Sequence, residues 1–151
     1  MIDKKTFKKT IAIPFQKAGF VKKGQSWYLD GNDALIVINL QKSNWGERYY
    51  INMGIWLKAF GEASFPQFNH CHLYYRVENF FPENRELILF GCSLENSSPE
   101  ILAELTGFIE SQLIPFLQSC TVISRLREMM IQGALEGGFV RLDAREDLND
   151  T

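Results

Sequence analysis

The two histidines of the chain sit together in His70-Cys71-His72, the densest grouping of metal-ligating side chains in the sequence. On a strand, His70 and His72 share one face and Cys71 points away, so the three converge only through a bend. Two imidazoles with a third ligand, such as Glu78 or an acid from a loop, could hold zinc and support a metal-dependent hydrolase. No HExxH or CxxC spacing accompanies them, which favours the plainer reading: one exposed histidine and one hydrogen-bonded at a sheet edge. Nucleophilic catalysis has no GxSxG and no local Cys/His signature behind it. Gly19 and Gly24 flank Val21-Lys22-Lys23 without the GxxxxGK[ST] or GxGxxG spacing of a phosphate cradle. No catalytic residue, cofactor or metal ligand set is therefore assigned.

A second grouping rests on strand alternation. In residues 49–60, Tyr49, Ile51, Met53, Ile55, Leu57 and Ala59 point one way, and Tyr50, Asn52, Gly54, Trp56 and Lys58 the other. The first set reads as core. If the apolar faces of neighbouring strands align, Asn39, Gln41, Asn52, Trp56, His72, Tyr74 and Arg76 fall together on the opposite face. Amides, aromatics and an arginine are a composition found at protein-binding hot spots. The competing reading is the ordinary wet face of an antiparallel sheet. A third grouping is basic: Lys4, Lys5, Lys8, Lys9, Lys22 and Lys23. Residues 1–42 carry eight Lys against three Asp, net +5, and residues 43–151 carry −7. Such a segment could bind nucleic acid or a phosphate ligand, or it is the solvated face of a helix.

The elements that position these groups follow from periodicity. Residues 3–18 predict an amphipathic helix with Phe7, Ile11 and Phe15 as its buried stripe, and Pro14 as a kink or break. Gly19 ends it. Residues 27–29, 34–41, 49–60 and 70–78 read as strands, with turns at Asp30-Gly31-Asn32-Asp33 and at residues 43–47. Residues 34–41 begin apolar on both faces, as a central, covered strand does. Phe65 and Phe68 lie on a loop and are expected to tuck back as a lid. Leu87 to Cys92 reads as a short fifth strand. Ser97-Ser98-Pro99-Glu100 starts a helix that Pro115 ends or bends. A last helix spans roughly residues 121–135, with Met129 and Met130 as core filler and Gly137-Gly138 as its stop. Residues after Asp143 are acidic and expected to fray.

The runs GFVKKGQSWY, VINLQKSNWG and YYINMGIWLKA resemble the bacterial domain-of-unknown-function 4304 family, closely over the first half of the chain and loosely over the second. That resemblance implies a fold and a bacterial origin, and no established activity or catalytic residue to carry over.

At 151 residues, 46% hydrophobic and 23% charged, the chain reads as a single domain over residues 1–151, able to bury about two thirds of its unfolded surface. Its apolar runs are too short for a signal peptide or a membrane span. Cys71, Cys92 and Cys120 are an odd, scattered set, as expected of reduced thiols in a cytoplasm. The expected architecture is α+β: an N-terminal helix, an antiparallel sheet of four or five strands, and two C-terminal helices packed on one face. The expected function is a non-enzymatic binding module that engages a partner protein through the polar and aromatic sheet face, as an antitoxin or immunity protein does. The alternatives are a nucleic-acid or phosphate-ligand binder using the basic helix, and a hydrolase using His70 and His72.

Overall fold

The computed structural model describes residues 1–149. Helix α1 spans Lys4–Lys17, capped by Asp3, whose carboxylate accepts from the Thr6 amide at 2.8 Å. Phe7, Ile11 and Phe15 are fully buried, as their i, i+4 spacing predicts. Pro14 neither ends nor interrupts the helix.

Six antiparallel strands follow in simple sequence order: β1 (Val21–Lys23), β2 (Ser26–Asp30), β3 (Ala34–Lys42), β4 (Tyr49–Leu57), β5 (Leu73–Arg76) and β6 (Phe139–Val140). Four of them are the expected strands. β1 and β6 are additions, too short to show a period of their own. The fifth expected strand is absent: Leu87 to Cys92 falls in helix α2 (Arg85–Gly91) and its cap. A six-residue apolar run cannot be told from a buried helical turn by periodicity. In the helix Gly91 packs closely on Leu105: a Cβ at that position would stand 2.7 Å from Leu105 Cδ2.

The register runs Trp27↔Ile38↔Met53↔Tyr75 and Leu29↔Ile36↔Ile55↔Leu73. These rows, with Ile51 and Leu57, join residues of α1 and of the later helices in one hydrophobic core. Ile51, Met53, Ile55 and Leu57 are at most 1% exposed, so the phase of alternation in β4 is as read from the sequence. It stops three residues earlier than expected: Lys58–Phe60 form a 3-10 turn, and Ala59 is exposed.

Helix α3 (Pro99–Phe108) starts at Ser98, whose Oγ accepts from the Ile101 amide. The chain stays helical through a π turn at Ile109–Leu113 and into α4 (Ile114–Ser119). Pro115 was expected to end or bend this helix; it is accommodated just after the widened turn, where its missing N–H costs least. Helix α5 (Ile123–Ile131) is shorter than expected. Gly133, at φ 75°, follows it. Gly137 and Gly138 are not its stop: a Cβ on Gly138 would overlap the Tyr75 ring, so this glycine admits β6 to the sheet. Met129 and Met130 are core residues. Helix α6 (Leu142–Asn149) replaces the expected fraying, because Ala144 and Leu148 are fully buried. Asp150 and Thr151 lie outside the described residues. Among the described residues five α-helices thus follow β5, where two helices were expected.

The β2–β3 turn is made as expected, but not by a left-handed Gly31. Gly31 is needed because a Cβ would overlap Thr121, and the Asp33 carboxylate accepts from the Ile123 amide at 2.9 Å. The hairpin tip is thereby docked against the start of α5.

Candidate functional site on the second sheet face

The opposite face of the sheet carries the cross-strand rows Ser26↔Asn39↔Asn52↔Arg76, Tyr28↔Val37↔Gly54↔Tyr74↔Phe139, and Leu35↔Trp56. Gln41 pairs with Tyr50 at one end. Asn39, Gln41, Asn52, Trp56, Tyr74 and Arg76 therefore share this face through strand pairing, and the His72 ring reaches it by packing on Trp56.

The face is neither uniformly wet nor covered by helices. Residues 58–72 fold back across its middle. Gly54 marks the contact: a Cβ there would meet Cys71 Sγ and the Phe68 carbonyl, each at 2.8 Å. Tyr28, Leu35, Val37 and Cys71 form a small second core under this loop, with Trp56 and Phe68 against it. Phe68 does tuck back, but onto this face, while Phe65 stays 43% exposed at the loop's edge. Tyr28 donates its hydroxyl to the Pro66 carbonyl at 3.0 Å, and its ring meets Phe65 edge-on.

His72 belongs to this covered half. It is 1% exposed, and its ring lies 4.5 Å from that of Trp56 and 4.7 Å from that of Phe60. Its Nδ1 accepts from the Leu57 amide at 3.0 Å, which places the ring proton on Nε2. Burial first, and then the nearby Arg141 guanidinium, hold its pKa below the usual imidazole value. His70 is not on a strand; it lies exposed in the 3-10 turn Phe68–His70. The two histidines are thus not brought to one face. Among the described residues no three His, Cys, Asp or Glu side chains stand close enough to hold a metal ion. The thiols of Cys71 and Cys120 are pushed up to about 12 by burial, and that of Cys92 higher still, so all three are held protonated.

The other half is open. Asn52, only 2% exposed, donates from Nδ2 to Gln41 Oε1 at 2.9 Å and to Asn39 Oδ1 at 3.4 Å. Asn39 Nδ2 in turn donates to Ser26 Oγ at 3.0 Å. Beside this amide ladder the Arg76 guanidinium lies over the Tyr50 ring, its central carbon 3.6 Å from the ring centroid. Arg48, and after it Arg76, lower the pKa of the Tyr50 phenol. Neither arginine has a carboxylate partner among the described residues. Phe139, 41% exposed, stacks on Tyr74 with ring centroids 4.6 Å apart. Together Gln41, Asn52, Arg76, Tyr74, Phe139 and Phe68 bound a cleft of about 300 Å³.

Four of the seven sequence-assigned residues, Gln41, Asn52, Tyr74 and Arg76, thus line one open cleft, with Asn39 behind them in the amide ladder, while Trp56 and His72 lie in the covered half. Trp56 donates Nε1–H to the Gly61 carbonyl at 2.9 Å and lines a separate cavity of about 520 Å³ with Tyr28, Leu35 and Phe65. Tyr50, Arg48 and Phe139 were missed. The alternation already put Tyr50 on this face, but nothing local tied it to Arg76. Phe139 comes from a two-residue strand far along the chain.

The family model for "Domain of unknown function (DUF4304)" matches residues 11–119. The chain belongs to the DUF4304 family. The matched span holds β1 to β5, and with them Asn39, Gln41, Tyr50, Asn52, Tyr74 and Arg76; Phe139 and Gly138 lie beyond it. No curated protein and no solved structure matches this DUF4304 chain. No helix of the described residues is long and apolar enough to cross a membrane.

Proposed function

We propose that this DUF4304 protein is a non-enzymatic binding module that engages a partner protein through the open half of its second sheet face, the role an antitoxin or immunity protein has. One observation carries the reading: an arginine over a tyrosine ring, without an acidic partner among the described residues, beside a buried amide ladder and an exposed aromatic stack. A guanidinium held by stacking loses less freedom when it binds, and Arg and Tyr are enriched where binding energy concentrates. Protonated, buried thiols and an engaged His72 supply no nucleophile or base, which supports a binding role. Buried free cysteines also fit a reducing bacterial cytoplasm.

A phosphate-bearing ligand or nucleic acid is the second reading, favoured by one feature. Partial burial, and then Lys4 and Lys22 beside it, lower the pKa of Lys8, so three of the six lysines share a patch. Lys23 stands apart, its ammonium 4.4 Å from the Phe65 ring centroid on the other face.

The test is affinity capture from the source cell with matched baits. Arg76→Gln should lose a protein that wild type retains, and a Lys4/Lys8/Lys22→Ala triple variant should keep it. Loss only in the lysine variant, with nucleic acid in the eluate, would favour the second reading.

A further inference from the structure

We infer that the open cleft takes a short acidic peptide segment of the partner, with one or two carboxylates followed closely by an apolar side chain. The inference rests on the binding-module reading and adds the chemistry of what is bound. It follows from counting donors and acceptors. Asn52 Nδ2 occupies the carbonyl oxygens of both Gln41 and Asn39. That hydrogen bond fixes the Gln41 amide with Oε1 turned inward, so its Nε2 donors are the ones left over. Arg76 presents the edges of a guanidinium whose face is taken by Tyr50, and Arg48 adds a second cation at the same phenol. The cleft therefore offers the Gln41 Nε2 donors and the Arg76 guanidinium edge beside the Asn52 carbonyl oxygen, and its positive charge favours an anionic occupant that brings acceptors. A carboxylate meets a guanidinium edge with two parallel hydrogen bonds.

The opposite wall narrows the class further. Tyr74 and Phe139 form an apolar shelf within the same cleft of about 300 Å³. A peptide can place an aliphatic or aromatic side chain there while its neighbouring carboxylate reaches Arg76. A polyphosphate backbone has nothing to set on that shelf.

The probe is the capped peptide Ac-Gly-Leu-Glu-Glu-Leu-Gly-amide, with its Gln-Gln counterpart and inorganic phosphate as controls. Binding is followed by nitrogen–proton correlation NMR on the full chain. The acidic peptide should shift the side-chain amide signals of Gln41 and Asn52 and the Arg76 Nε–H signal saturably, less so at high salt. The Gln-Gln peptide should bind at least tenfold more weakly, and Arg76→Gln should abolish the shifts. Tyr50→Leu keeps both charges but removes the stack, and should weaken binding several-fold; it also serves if Arg76→Gln does not fold. Equal binding of both peptides overturns the inference, as do shifts with phosphate but not with the peptide, or an unchanged affinity in both variants. If no peptide shifts these signals while partner capture still depends on Arg76, the binding face stands and the acidic class falls. If capture is also indifferent to Arg76, both fail.

Discussion

The two faces of the sheet are built from the same strands but closed by different means. The core face meets helices, whose regular apolar stripes interlock with Ile36, Ile38, Ile51, Met53 and Ile55 and leave them with no exposed surface to speak of. The second face meets one irregular loop, residues 58–72, which seals Tyr28, Leu35 and Val37 and stops short of Asn39, Gln41 and Arg76. Helices cover a face by periodic burial; a loop covers it at a few points, each needing a particular residue. Gly54 and His72 are two of those points. The difference explains why one face is core throughout and the other is half core and half open.

Breaking the core face should cost most. Ile55→Ala removes a fully buried side chain and should lower stability by about 2–4 kcal/mol in denaturant titration. A loss under about 0.5 kcal/mol would mean the two faces are exchanged.

Forcing the loop off the second face should cost less. Gly54→Ala drives a methyl into Cys71 Sγ and the Phe68 backbone and should cost about 1–3 kcal/mol, with faster exchange of the residue 58–72 amides. An unchanged loop would show that it does not press on the sheet there.

The His72 contact should add a pH dependence. Its folded pKa lies below the unfolded value of about 6.5, so the unfolded chain takes up the proton more readily. That contribution to stability is complete above about pH 6.5 and is lost progressively as pH falls below it. His72→Asn keeps an acceptor for the Leu57 amide without titrating, so it should flatten the stability profile between about pH 6.5 and 5, before carboxylates protonate. A profile identical to wild type would place the proton uptake elsewhere.

The smallest effect is expected on the open half. Arg76→Gln should leave stability within about 0.5–1 kcal/mol of wild type, since Arg76 is half-exposed and its stack on Tyr50 is at the surface. A loss as large as that of Ile55→Ala would make the arginine a structural brace.

The phase was legible in β4 and β5 because both alternate, whereas β3, apolar on both faces at its start, showed it only in its polar tail at Asn39 and Gln41. Asn39, Gln41, Asn52, Tyr74 and Arg76 could be grouped on that basis alone. Their cover was not legible. Residues 58–72 have no period, and the contacts that matter there, Leu57 to His72 and Gly54 to Phe68, span 14 or 15 positions. The run from Leu87 to Cys92 is a helix where a strand was expected because six apolar residues carry no decisive period, and Leu105, on which Gly91 packs, lies far outside that window. The last wall of the cleft, Phe139, depends on Gly138, whose purpose is visible only against the Tyr75 ring.

The central claim is that the open half of the second face, and not the lysine patch on α1, meets the partner. Hydrogen–deuterium exchange of the full chain, free and saturated with a captured partner, tests it most directly. Protection should concentrate on residues 39–41, 50–52, 74–76 and 139, with Lys4–Lys17 exchanging at an unchanged rate. Protection confined to Lys4–Lys17 and Val21–Lys23, with residues 50–52 and 74–76 unaffected, would contradict it.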